Sequence, residues 1–91
     1  GVPVRFAPRG EKLSDAARTL GEGTVLADLS EPGVLEDVPA AKRAARVRVV
    51  GFLGHLQADL ARAASDAGVD EVLTRGQLVQ RLDELLLGGR N

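Results

Sequence analysis

The sequence predicts an α/β domain in three layers, with a short parallel sheet of about four strands and helices on both faces. Short runs of apolar residues, several alternating with polar ones, have the length and period of strands. Longer segments between them repeat apolar residues at helical spacing. Glycine or proline stands at most of the boundaries. The predicted order of elements is therefore β-α-β-α-β-α-β-α.

The first half of the chain supplies two strands and one helix. Residues 2–6 alternate apolar and polar side chains, and Pro3, which lacks a backbone donor, predicts a strand at a sheet edge. Residues 11–20 carry Leu and Ala at helical spacing, and Gly21 predicts the end of that helix. Residues 24–29 are apolar on both faces, as in a strand covered by helices.

The second half predicts a short or broken helix at 34–45, with Pro39 in the first turn of its second part. A strand at 46–51 follows, with Val47 and Val49 on one face and Arg46 and Arg48 on the other. The remaining predicted elements are a loop at 51–54, a helix at 55–67, a strand at 69–73 and a helix at 77–87.

Length and composition bound the possible functions. With 91 residues, the chain forms a single domain spanning 1–91. It contains no cysteine, which excludes disulfides and thiolate metal sites, and no Trp or Tyr, which leaves few aromatic platforms for nucleic acid bases. The formal net charge of −1 indicates no bulk attraction to nucleic acid or to an anionic membrane. No apolar run is long enough to span a bilayer, and no secretory signal is visible, so we expect a cytoplasmic protein.

Few residues are candidates for chemistry. Asp28 ends an apolar strand, where its carboxylate either accepts a phosphoryl group or, in the interpretation we favour, bonds backbone N–H groups of its own turn. The Gly51-Phe52-Leu53-Gly54 segment either binds an anion or allows close packing, and we favour the second. His55 is the only histidine and has no partner motif. We interpret the basic cluster of Lys42, Arg43, Arg46 and Arg48 as a solvated face.

Three segments carry a resemblance to a known family. Asp28-Leu29-Ser30-Glu31-Pro32-Gly33 follows an apolar strand, and the stretch from Val49 to His55 is followed by a helix and then by Ala67-Gly68-Val69-Asp70. Together these segments resemble response-regulator receiver domains, which have the flavodoxin-like fold. The resemblance implies that Asp28 occupies the place of the phosphorylated aspartate, at the end of the family's third strand. Residues 2–6 then match the second strand, at the edge of the 2-1-3-4-5 order.

The resemblance also implies what is missing. The family's first strand and helix have no counterpart here, which would remove the central strand and the acidic pair that holds Mg²⁺. The Thr or Ser after the fourth strand falls on Leu53, and the Lys-Pro pair after the fifth strand falls on Arg75-Gly76. A missing central strand would leave a gap in the sheet, so we expect either a dimer or an atypical strand arrangement.

We therefore expect a receiver-like interaction or regulatory module that is not phosphorylated and binds a protein partner or a second copy of itself. We expect no catalytic residue, no bound metal and no cofactor. Two alternatives stay open. One is a phospho-accepting receiver fragment with Asp28 as the acceptor and its acidic strand upstream. The other is a small-molecule or nucleotide-binding domain that uses a crevice near Asp28, Gly54, His55 and Arg75.

Overall fold

The computed structural model describes residues 3–7, 10–55 and 57–87. Four strands and four helices alternate along the chain in the predicted order. The predicted strand residue Val2 and helix residue Leu56 lie outside the described residues. The elements are β1 (Val4–Phe6), α1 (Leu13–Leu20), β2 (Glu22–Asp28), α2 (Val34–Ala44), β3 (Arg46–Leu53), α3 (Ala58–Ala67), β4 (Glu71–Thr74) and α4 (Arg75–Leu87).

The four strands form one parallel sheet in the order β1-β2-β3-β4. The gap that the receiver resemblance implied between the first two strands is absent, because β1 pairs directly with β2 in the register Val4↔Thr24 to Phe6↔Leu26. In this direct pairing the facing backbone groups of both strands have hydrogen-bond partners, whereas a gap would leave those groups unpaired. Of the two outcomes expected for a missing central strand, the sheet shows the atypical arrangement. β1 lies at the edge, as Pro3 predicted.

The sheet separates two apolar layers, which confirms the three-layer α/β fold. In a parallel sheet of sequential order, right-handed crossovers place the connecting helices on one face. Residues of α1, α2 and α3 accordingly pack against Val25, Val47 and Val49 in one core cluster. α4 covers the opposite face, where its Leu78 packs with Leu26, Val50, Phe52 and Leu73. None of the helices in the described part of the chain has the length and hydropathy to cross a membrane.

Small side chains let α1 and α2 approach each other closely. Ala16 and Ala17 of α1 and Ala41 of α2 are fully buried in the first core cluster. α2 is continuous through Pro39, although the sequence predicted a break or a new first turn there. Pro39 lies on the exposed side of the helix, where its missing N–H interrupts one bond without disturbing the packed face.

The structure corrects four predicted boundaries at the carboxyl end of the sheet. β3 continues to Leu53, so three of the four residues in the predicted loop at 51–54 belong to the sheet. α3 begins at Ala58 rather than at His55. β4 ends at Thr74, and α4 begins at Arg75 with no loop between them. Each change moves residues at the carboxyl end of the sheet, where the candidate site lies.

Asp70 fastens the start of β4 to β3. Its backbone N–H donates to Val49 O at 2.8 Å, and its Oδ2 accepts the Val49 N–H at 2.7 Å and a hydrogen bond from Lys42 Nζ. Burial raises the pKa of Asp70, but the bonds from Lys42 and Val49 and the charges of Lys42 and Arg48 outweigh it. The pKa therefore lies below its ordinary value.

Replacing Asp70 by asparagine is expected to lower the free energy of unfolding at pH 7 by about 1–2 kcal/mol, since charge-assisted bonds are lost. Because the folded-state pKa is depressed, the stabilisation is present above the unfolded pKa of about 3.9 and is lost as pH falls through the folded value. Urea unfolding from pH 7 to pH 3 should therefore show the difference in unfolding free energy between the two proteins narrowing toward the acid end.

Asp66→Asn, on an exposed position of α3, is the matched control for this series. It removes the same charge from the neighbouring helix and should leave the unfolding free energy nearly unchanged. A gap between wild type and Asp70→Asn that stays constant down to pH 3 would contradict the role given to the Asp70 carboxylate.

Candidate functional site

Asp28 is the last residue of β2, at the carboxyl end of the sheet. Its Oδ1 accepts hydrogen bonds from the Ser30 backbone N–H at 2.9 Å and from Ser30 Oγ at 2.6 Å. The turn is closed by the Glu31 N–H, which donates to the Asp28 carbonyl at 3.1 Å. The Ser30 N–H bond is the one predicted for an aspartate that bonds the backbone of its own turn.

Arg75 is the first residue of α4 and faces Asp28. Its Nη2 lies 4.0 Å from Asp28 Oδ2, at the outer limit of an ion pair, and its side chain is 65% exposed. A contact of this length at an exposed site contributes little to stability. The structure thus brings together Asp28 and Arg75, two of the residues that the sequence singled out.

A capping box places Arg75 at that position. The Gln77 N–H donates to Thr74 Oγ1 at 3.2 Å, and the Thr74 N–H donates to Gln77 Oε1 at 2.9 Å. This reciprocal pair satisfies two backbone donors at the start of α4. The Thr74-Arg75-Gly76-Gln77 pattern was available in the sequence and would have located the helix start two residues before the predicted one.

Two aromatic rings lie beside the Asp28–Arg75 pair. Phe52, opposite Asp28 in the β2–β3 register, has its ring centroid 5.6 Å from the Arg75 guanidinium carbon. The rings of Phe6 and Phe52 meet edge to face, with centroids 6.3 Å apart. Phe52 is buried, whereas Phe6 is 49% exposed. The guanidinium of Arg75 therefore lies near both an aromatic ring and a carboxylate at the carboxyl end of the sheet.

The other predicted crevice residues are placed differently. Leu53 is buried in the core cluster beneath α1, α2 and α3, and its side chain offers no hydrogen-bonding group. Gly54 lies near Arg75, since a Cβ built on it would be 3.9 Å from Arg75 Nε. His55 is exposed, and in the described part of the chain it makes no hydrogen bond or ion pair with Asp28 or Arg75.

The glycine-rich segment serves packing. Gly51 and Phe52 pair with both β2 and β4, and Leu53 pairs with β4, so their backbone groups belong to the sheet and not to an anion-binding loop. A Cβ on Gly51 would lie 2.6 Å from side-chain carbons of Leu29, so only glycine lets Leu29 fill this part of the core. This supports the close-packing interpretation of the segment.

A groove lies on the β1 side of Asp28, away from the predicted crevice. It measures about 560 Å³ and opens between the connections that follow β1 and β2. Its walls combine apolar side chains, among them Leu13, Val34 and Phe52, with one lysine, Lys12, and five acidic residues, Glu11, Asp28, Glu31, Glu36 and Asp37. Of the residues predicted to form a crevice, only Asp28 borders this groove.

Asp37 shapes the groove in a way that the sequence does not reveal. It lies in the first turn of α2, yet its Oδ2 accepts the Ser14 backbone N–H at 2.7 Å and so caps the neighbouring α1. The residue at the start of α1, Lys12, makes no side-chain cap of its own. No local pattern marks this interaction, because donor and acceptor are 23 residues apart.

Several basic side chains of the domain are paired with carboxylates. Arg5 forms an ion pair with Glu11 at 3.0 Å on the face of the sheet opposite α4. In the basic cluster, Lys42 binds Asp70, and Arg48 lies 3.9 Å from Glu71. These pairings support the interpretation of that cluster as a solvated face. Within residues 3–7, 10–55 and 57–87, no three acidic or histidine side chains are grouped so that they could hold a metal ion.

Comparison with family models, with curated proteins and with solved structures finds no match to this chain.

Proposed function

We propose that this chain is a receiver-like interaction module whose strand-end aspartate is not phosphorylated and which acts by binding another protein or a second copy of itself. The observation that carries the proposal is the arrangement at Asp28, where one carboxylate oxygen is bonded twice by Ser30. A carboxylate held in this way serves the turn that carries it.

The chemistry of phosphoryl transfer supports this assignment. An aspartate accepts a phosphoryl group when a cation neutralises the developing charge and donors hold the transferred oxygens. Leu53 presents a buried apolar side chain where a hydroxyl donor would be required. Arg75 supplies positive charge, but its guanidinium is engaged with the Phe52 ring, and Arg does not reproduce the compact charge of lysine.

The surface features favour binding over chemistry. The Ser30 hydroxyl donates to a carboxylate, but that carboxylate is Asp28 of the same turn, so this bond belongs to the turn. Phe6, by contrast, presents a large apolar side chain to solvent at 49% exposure. Aromatic side chains are enriched at protein contact surfaces. The binding of a protein is thus the activity that these features support best.

The proposal is tested with amide NMR spectra recorded during addition of Mg²⁺ and then beryllofluoride, which mimics an aspartyl phosphate. NMR suits this chain because it has no Trp or Tyr for fluorescence. We expect no saturable shift at Asp28, Ser30 or Arg75. The Asp28→Asn variant is the control, because shifts that persist in it arise from other carboxylates. Saturable shifts that require the Asp28 carboxylate would restore phosphorylation as the function.

A second candidate, small-molecule binding, is favoured by the groove of about 560 Å³ beside Asp28. That volume is within the range of small-molecule sites. Its carboxylates outnumber its one lysine, so an organic ammonium ion with an apolar portion is the class of ligand that it would take. A third addition of such an amine to the NMR sample separates the candidates. Saturable shifts at Lys12, Leu13 and Val34 would favour this function.

A further inference from the structure

The outer edge of β1 exposes backbone groups that have no partner strand in the described part of the chain. The Thr24 N–H donates to Pro3 O at 2.9 Å, and the Ala7 N–H donates to Leu26 O at 3.0 Å. Pro3 and Ala7 therefore point toward β2. Because successive residues of a strand point their backbone groups to opposite sides, the N–H and C=O groups of Val4 and Phe6 point outward.

The same edge carries exposed apolar surface. Val4 and Phe6 lie on the face of the sheet that α4 covers, but the side chains of α4 pack chiefly over β3 and β4. Phe6 is 49% exposed and Val4 is partly buried. Phe6 thus combines outward hydrogen-bonding groups with an exposed apolar side chain, and Val4 combines them with a partly exposed one.

The usual protection of a sheet edge is weak here. Natural edges are blunted by proline, by charged side chains or by bulges. Pro3 points its backbone toward β2, so its missing N–H does not interrupt the outer edge. Arg5 forms an ion pair with Glu11 at 3.0 Å on the opposite face, so its charge does not protect the edge. The other sheet edge, β4, differs because its Glu71 is bonded by Arg81 from α4.

We propose that β1 pairs antiparallel with β1 of a second copy of this chain, joining the two sheets into one. A two-fold axis through Arg5 sets Val4 opposite Phe6 of the second copy, and Phe6 opposite Val4. This register satisfies all the outward groups of both residues with four hydrogen bonds. It also sets each exposed Phe6 beside an apolar side chain.

A second copy fits this edge better than an open chain of strands. Two-fold pairing closes on itself, whereas parallel addition of β1 to the β4 edge of another copy would continue without end. The two Arg5 side chains face each other across the axis, and the Glu11 carboxylate bound to each one limits their repulsion. The contact involves three residues per strand, well below the usual size of a stable interface, so the dimer is weak.

Sedimentation equilibrium over a concentration series tests the proposal. We expect the wild-type chain to pass from monomer to dimer, and Phe6→Lys to raise the dissociation constant at least tenfold. Val79→Lys is the matched control, because Val79 is also apolar and is 61% exposed, but lies on α4. Circular dichroism checks that both variants fold. A wild-type chain that stays monomeric throughout, or equal effects of the two variants, would overturn the proposal.

Cross-linking tests the register independently. The chain has no cysteine, so Arg5→Cys introduces one thiol, and the two-fold axis brings two such thiols within disulfide distance. We expect mild oxidation to link this variant faster than Val79→Cys. Equal rates, or a series of longer oligomers in place of one dimer, would contradict the two-fold pairing.

This inference rests on the proposed function, since it names the partner of the interaction module, but the two fail separately. A monomeric wild type rejects the second copy and leaves the assignment at Asp28 intact. Shifts with beryllofluoride reject that assignment and do not affect the sedimentation result.

Discussion

Replacing Gly23 by alanine is expected to lower the free energy of unfolding by about 3 kcal/mol or more. Gly23 has a φ of +138°, a conformation that side chains with a Cβ rarely adopt. An added Cβ would also collide with the backbone oxygen of Pro3. That oxygen accepts the Thr24 N–H, so it cannot move away without loosening the pairing of β1 with β2.

Gly33→Ala is the control that separates the two causes. Gly33 also has a positive φ, +83°, but a Cβ there would have no neighbour within 4 Å. It should lose only the conformational part, about 1–2 kcal/mol. The measurement is urea unfolding followed by far-UV circular dichroism. Equal losses in the two variants would show that the contact with Pro3 does not hold β1 in place.

Periodicity predicted the fold because most elements bury one face. In β3, Val47 and Val49 are buried while Arg46 and Arg48 are exposed, so the alternation in the sequence matches the alternation in burial. The end of the same strand gave no such signal. Gly51, Phe52 and Leu53 are all buried, since helices cover both faces there, and a run that is apolar on both faces has no period.

The local sequence pattern does not determine the order of the strands in the sheet. The resemblance to receivers implied an absent strand between β1 and β2, whereas the two strands are hydrogen-bonded neighbours. Pairing is decided by which backbone groups meet across the sheet, and short segments such as β1, with three residues, carry little information on their neighbour. The edge position of β1 matches the prediction from Pro3, but the missing N–H of Pro3 faces β2 just before the strand begins and is not what keeps a further strand away.

The candidate site also has one part that could be predicted from the sequence and one part that could not. Asp28 ends β2 and Arg75 follows β4. Because the carboxyl ends of parallel strands lie on the same side of a sheet, the proximity of these two residues was predictable. The groove beside Asp28 was not. It depends on the conformations of two connections, including the left-handed Gly33, and on a hydrogen bond from Ser14 to Asp37 between two helices. Sequence spacing does not encode such contacts.

Replacing Gly51 by alanine is the second change with a large expected effect, a loss of about 2–3 kcal/mol in the free energy of unfolding. Its Cβ would lie 2.6 Å from carbons of Leu29, a side chain that is only 4% exposed and has little room to move. Gly76→Ala is the matched control. A Cβ there meets nothing within 4 Å, and alanine in α4 should stabilise slightly through helix propensity.

A double-mutant cycle identifies Leu29 as the cause of that loss. Leu29→Ala alone should cost about 2–5 kcal/mol, because it leaves a cavity in the core. In the double variant the Cβ at position 51 occupies part of that cavity, so the total should fall short of the sum by about 1 kcal/mol or more. Strictly additive losses would contradict this packing. Because the Leu29 N–H also donates to Phe52 O at 3.1 Å, this contact fixes Asp28 relative to Phe52. The glycine that the sequence presented as part of a possible anion loop therefore acts on the site through the core.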